Sequence, residues 1–113
     1  MLKVFGYYCV FTPLSIWWGV ALTNIGWNEY GGWRIGIRSP DKKRYFYYAH
    51  LMKDTPYASD FKVGDSIDAG TLIGYMGRTG YSKDENTEGI ETPHLHFGMQ
   101  LSSFKDEKGD GVW

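Results

Sequence analysis

Three histidines are the residues of this chain best suited to chemistry, because imidazole changes charge near neutral pH and also ligates metals. His94 and His96 stand two apart in Pro93-His94-Leu95-His96-Phe97-Gly98-Met99-Gln100-Leu101. There Leu95, Phe97, Met99 and Leu101 alternate with His94, His96, Gly98 and Gln100, the period-two signature of a strand. Positions i and i+2 of a strand share a face and lie ~6.6 Å apart, at a rise of ~3.3 Å per residue. At that spacing one imidazole can bind a metal while the other reaches a metal-bound water or a substrate oxygen. A flat strand does not let both chelate one zinc comfortably, so the pair suggests one ligand and one acid–base group. The bland alternative is two exposed strand histidines with no task. His50 also ends a strand beside a loop and alone would read as structural. All three at strand edges favour one shared polar site.

The elements that must position them are strands and turns. Trp33, Ile35 and Ile37 alternate with Arg34, Gly36 and Arg38, as in a half-buried strand. Ser39-Pro40-Asp41-Lys42-Lys43 is turn chemistry. A second strand runs from Arg44 to Leu51, with Tyr45, Tyr47, Ala49 and Leu51 on one face and Phe46, Tyr48 and His50 on the other. The two make an antiparallel hairpin. Lys53 to Phe61 reads as a loop or one short helical turn, because Pro56 breaks anything longer. Lys62 to Tyr75 reads strand, turn, strand, with Ile67 inward and Gly70 at positive φ. Gly77 to Pro93 is a long polar loop carrying a run of acids, of the length that rims a site or moves.

Composition bounds the rest. A chain of 113 residues has room for one domain. Fifteen Gly with five Trp, nine Tyr and six Phe favour strands and tight turns and exclude a helical bundle. The net charge is -1 and no basic run exceeds Lys42-Lys43-Arg44, so no nucleic-acid partner is expected. The single Cys9 rules out an internal disulfide and, within an apolar run, reads as a small buried hydrophobe. No charge lies between Lys3 and Glu29. The apolar stretch Val4 to Leu22 is a buried strand or two, a secretory signal, or a membrane anchor touching lipid through 4–22. The organisation expected is an apolar segment 1–23, a β domain 24–101 and a polar tail 102–113.

Three segments together resemble the lysostaphin-like (LytM-type) zinc endopeptidases, which cut peptide bonds in bacterial peptidoglycan. They are Tyr47-Tyr48-Ala49-His50-Leu51, then Val63 through Gly80, then Pro93-His94-Leu95-His96-Phe97-Gly98, with Gly26-Trp27-Asn28 through Ile37 fitting the strand ahead. Val63 to Gly74 also looks like a biotinyl- or lipoyl-carrier hairpin, but such carriers need a lysine at the tip and none occurs between Lys62 and Lys83. The family resemblance implies a mainly β fold, an antiparallel sheet of the duplicated hybrid-motif or barrel-sandwich type with a narrow groove. It implies that His96 is a zinc ligand, and that His50 and His94 flank the attacking water as base and oxyanion stabilisers. Trp33, Tyr47 and Tyr48 would line the groove or, by their alternation, the core. The partner implied is a peptidoglycan peptide, and the place is outside the cytoplasm in the cell envelope.

One departure counts against a fully armed site. The family draws two more zinc ligands from a His-x-x-x-Asp motif upstream of the Gly-Trp strand. Here no histidine precedes His50 and no aspartate precedes Asp41. Catalytic zinc ordinarily has three protein ligands. The expectation is therefore a domain incomplete at both ends, with zinc weak or absent and inactive alone, or else a non-catalytic envelope-binding module. Unpaired sheet edges would also favour self-association.

Overall fold

The computed structural model describes residues 2–5, 20–39, 44–68 and 70–101. Cys9, positions 6–19 of the apolar run, residues 40–43 of the turn and the 102–113 tail lie outside them. Seven strands make up the described fold: β1 (Lys3–Phe5), β2 (Val20–Asn28), β3 (Gly32–Arg38), β4 (Arg44–Ala49), β5 (Ser66–Ile67), β6 (Leu72–Tyr75) and β7 (His96–Leu101). No helix occurs among the described residues, and none is long and apolar enough to cross a membrane. Aromatic side chains dominate β4, and Trp33, Ile35 and Ile37 of β3 and Ile73 and Tyr75 of β6 are of the β-branched and aromatic types that pack well on a pleated surface.

Five strands form one sheet in the order β5-β2-β3-β4-β7, and β1 pairs with β6 in a second. Every strand pairing is antiparallel. The main core lies where β1 and β6 bring Val4 and Ile73 onto Leu22, Ile35, Ile37, Phe46, Tyr48, Leu51 and Ile67. Each such aliphatic side chain contributes about 1.5–3 kcal/mol by leaving water. This two-layer arrangement matches the mainly β, antiparallel architecture implied by the sequence.

Three local readings need correction. β3 is covered on both faces rather than half-buried, with Gly36 and Arg38 enclosed along with Ile35 and Ile37. The cause is Tyr45, whose phenol lies over Gly36, while the Arg38 guanidinium lies 5.8 Å from the Tyr45 ring centroid. Next, Ser66–Ile67 and Leu72–Tyr75 are not partners of each other. β5 joins β2 and β6 joins β1, the chain changing layers through Gly70 at φ 84°. Finally, the alternation of β4 fails at its end. Leu51 sits in the core with Phe46 and Tyr48, not beside Tyr45 and Tyr47. His50 has φ 61°, and a left-handed residue turns the next side chain onto the other face.

β7 pairs Tyr48 with Phe97 and Phe46 with Met99, so its apolar residues share the core face of β4. They lie beyond the β1–β6 layer. Phe97 packs on Phe46 and Tyr48 yet is 43% exposed, and Leu101 reaches 75%.

Candidate active site

His50 directly succeeds the last residue of β4 and is almost wholly buried. A non-glycine residue in the left-handed region costs on the order of 1–3 kcal/mol, and such strain concentrates at functional sites. Three hydrogen bonds hold it there. The His50 amide donates to the Gly31 carbonyl (2.8 Å), the Gly77 amide donates to the His50 carbonyl (2.9 Å), and Nδ1 lies 2.8 Å from the Thr79 carbonyl. A carbonyl only accepts, so this contact places the ring proton on Nδ1 and leaves the lone pair on Nε2. Thr79 is itself fully buried, donating from Oγ1 to the Leu51 carbonyl and accepting from the Trp33 amide. Burial pushes the His50 pKa below the usual histidine value, and the neighbouring His94 and His96 push it the same way. The imidazole is thereby kept neutral and able to act as a base.

His94 and His96 come from the other side. The His94 amide donates to the Gly77 carbonyl (3.3 Å), and its Nδ1 lies 2.9 Å from the Thr92 carbonyl, which again leaves Nε2 as the open nitrogen. His96 opens β7 opposite Ala49. The His50 ring centroid lies 4.9 Å from that of His94 and 5.6 Å from that of His96. All three imidazoles therefore converge on one spot, on the side of the sheet away from the main core.

The residues offered for a groove divide. Tyr47 is buried on the site face, edge-on to His96 at 5.9 Å, and burial raises its phenol pKa. Trp33 is half-buried and donates from Nε1 to Asn86 Oδ1 (2.8 Å). Tyr48 takes the core alternative: it is 1% exposed within the main core and lines no groove.

The long polar loop is pinned rather than loose. The Tyr81 amide donates to the Tyr30 carbonyl (3.3 Å), the Ser82 amide to the Glu29 carbonyl (2.9 Å), and Trp27 Nε1 to the Ser82 carbonyl (3.1 Å). Arg78 and Glu88 form an ion pair at 3.2 Å. Asn86 Oδ1 also accepts from the Asp54 amide (2.9 Å), and Asn86 Nδ2 donates to Asp54 Oδ1 (2.8 Å). Among the described residues, the non-glycine ones at positive φ are His50, Asp54, Tyr81 and Asn86, all in this neighbourhood. Sequence reasoning passed over Thr79, Tyr81 and Asn86. Thr79 acts largely through its carbonyl, and nothing in residue type signals that.

The described residues do not by themselves complete a zinc site. His50 and His94 each spend Nδ1 on a carbonyl, which leaves only Nε2 of each ring open to a metal or a proton. Among the described residues no three His, Cys, Asp or Glu side chains are arranged to hold a metal ion.

With the sandwich and its cluster of imidazoles described, comparison with known proteins places the chain in a class of peptidases: it belongs to peptidase family M23, whose model matches residues 16–108. That family is generally zinc-dependent. The chain is 42% identical over 82 residues to the L-Ala–D-Glu endopeptidase of Bacillus subtilis, covering 73% of this chain and 24% of that protein. It is 35% identical over 96 residues to lysostaphin of Staphylococcus simulans, covering 84% of this chain and 17% of that protein. The chain thus spans a quarter or less of the curated relatives it matches. Among solved structures, a Ruminococcus gnavus protein assigned as a glycyl-glycine endopeptidase LytM superposes with TM-score 0.66 at 45% identity, over 77% of this chain and 32% of that one. The lysostaphin catalytic domain of S. simulans gives TM-score 0.55 at 29% identity, over 92% and 81%.

Proposed function

We propose that this domain engages peptide bonds of bacterial cell-wall peptidoglycan, outside the cytoplasm, through His50, His94 and His96. The observation that carries the reading is the convergence of the three rings, at 4.9 and 5.6 Å from His50, in a chain of family M23. His50 and His94 flank the attacking water, and His96 is a metal donor. A neutral imidazole takes a proton from water at Nε2 and becomes a donor toward the carbonyl oxygen or the departing amine. A bound zinc would supply Lewis acidity. With one family ligand among these residues where three are usual, they hold zinc weakly and hydrolyse slowly or not at all.

The donor shortage favours a second reading, a non-catalytic cell-envelope module. Purified sacculi separate the two. Under the first, the chain co-sediments with sacculi and releases new amino groups when zinc is in large excess, and His94→Ala abolishes release. Under the second it co-sediments and releases none at any zinc concentration. A chain that neither sediments nor cuts contradicts both. Self-association is proposed through β7, an edge strand among the described residues with no Asp, Glu, Lys or Arg between His96 and Leu101. Size-exclusion elution that shifts with concentration supports it, and a fixed monomer position refutes it.

A further inference from the structure

Tyr30 and Tyr81 are large aromatic side chains left in water, 66% and 64% exposed, yet they are built into a rigid frame. Asn28 Oδ1 accepts from the amides of Tyr30 and Gly31, both at 3.0 Å, fixing the turn that presents Tyr30. Tyr81 is held in the left-handed region at φ 50°, its amide donating to the Tyr30 carbonyl. The two turns meet because Gly80 has no side chain: a Cβ there would lie 2.5 Å from the Tyr30 carbonyl oxygen. Strained backbone spent on presenting an exposed ring points to a contact with something outside the chain.

The spacing says what. The Tyr81 ring centroid lies 5.8 Å from that of His50 and 6.4 Å from that of Tyr30, so Tyr81 neighbours both. An extended peptide advances ~6.6 Å every two residues. The Tyr30 and Tyr81 rings are inclined at 71°, so they form no common flat face on which one sugar ring could lie across both. We infer that Tyr81 and Tyr30 form an aromatic subsite beside the histidines, contacting an extended peptide on one side of the bond presented to His50. Tyr81 meets the chain about two residues from that bond, and Tyr30 packs against the same end of the peptide. This deepens the cell-wall reading and rests on it.

Binding, not turnover, tests the subsite, so the result stands apart from whether the chain cuts sacculi. The whole chain is titrated with pentaglycine, the cell-wall stem pentapeptide, glycylglycine and an N-acetylglucosamine tetramer, with affinity read from backbone amide shifts by NMR. At least one five-residue peptide binds. Tyr81→Ala and Tyr30→Ala each weaken it on the order of tenfold, while Tyr81→Phe and Tyr30→Phe, which keep the rings, stay within about twofold. Glycylglycine, too short to span the bond and both rings, loses less affinity than the five-residue peptides in the alanine variants. The inference is overturned if neither five-residue peptide binds, if the alanine variants bind as tightly as the parent, or if the substitutions weaken tetramer binding instead. Both side chains are exposed, and unchanged amide spectra of the free variants verify that they remain folded.

Discussion

The two faces of the five-stranded sheet are built on different physics. Toward β1 and β6, Ile35, Ile37, Phe46 and Tyr48 close an apolar layer in which area leaving water is the main stabilising term. On the opposite face Tyr45, Tyr47 and Ala49 form a small cluster beside the three imidazoles. Position there is set by directed contacts: His50 to the Thr79 carbonyl, His94 to the Thr92 carbonyl, and the Tyr45 hydroxyl beside Asn24. The first face is a matter of volume. The second is a matter of angles, and its cost in strain is carried by the first.

That contrast can be broken or sharpened, starting with the largest effect. Ile35→Ala removes a fully buried side chain from the apolar face and should cost about 2–5 kcal/mol in denaturant unfolding. Thr79→Val leaves the Leu51 carbonyl and the Trp33 amide without their side-chain partner, a loss of about 1–3 kcal/mol, which Thr79→Ser largely restores. Tyr57 packs against the apolar face yet is fixed by directed bonds. Its hydroxyl donates to the Arg34 carbonyl and accepts from the Gly26 amide, and burial pushes its pKa up to about 12. An unfolded tyrosine ionises near ~10, so the folded state holds this proton longer. Stability from Tyr57 is complete below that pH and declines as pH rises toward 12, and Tyr57→Phe should flatten the decline in thermal melts. Smallest is His94→Ala. The side chain is exposed, so stability should change by no more than ~0.5 kcal/mol while any hydrolysis disappears. Comparable losses of stability from His94→Ala and Ile35→Ala would erase the distinction between the faces.

The strands were legible because large apolar residues alternate with small or polar ones along 33–37, and because 45–48 is an unbroken aromatic run of high strand propensity just after a turn. The shared face of His94 and His96 comes from the same period, and together with His50 it pointed to one site from residue order alone. Three things were hidden. A left-handed His50 has no signature in residue type, so the side taken by Leu51 was misread. Period two gives sidedness but not which side is covered, and Phe97, Met99 and Leu101 emerge on an uncovered stretch. The parting of β5 from β6 depends on which distant strands compete for their edges, a long-range outcome that a local turn cannot reveal.

The claim that three imidazoles form the working centre is tested most directly by tracking their ring signals in NMR while soluble cell-wall peptide is added to the folded chain. The account predicts that the ring signals of His50, His94 and His96 move together while those of Phe46, on the opposite face, stay still. Imidazole signals that do not move as the peptide binds elsewhere would contradict it.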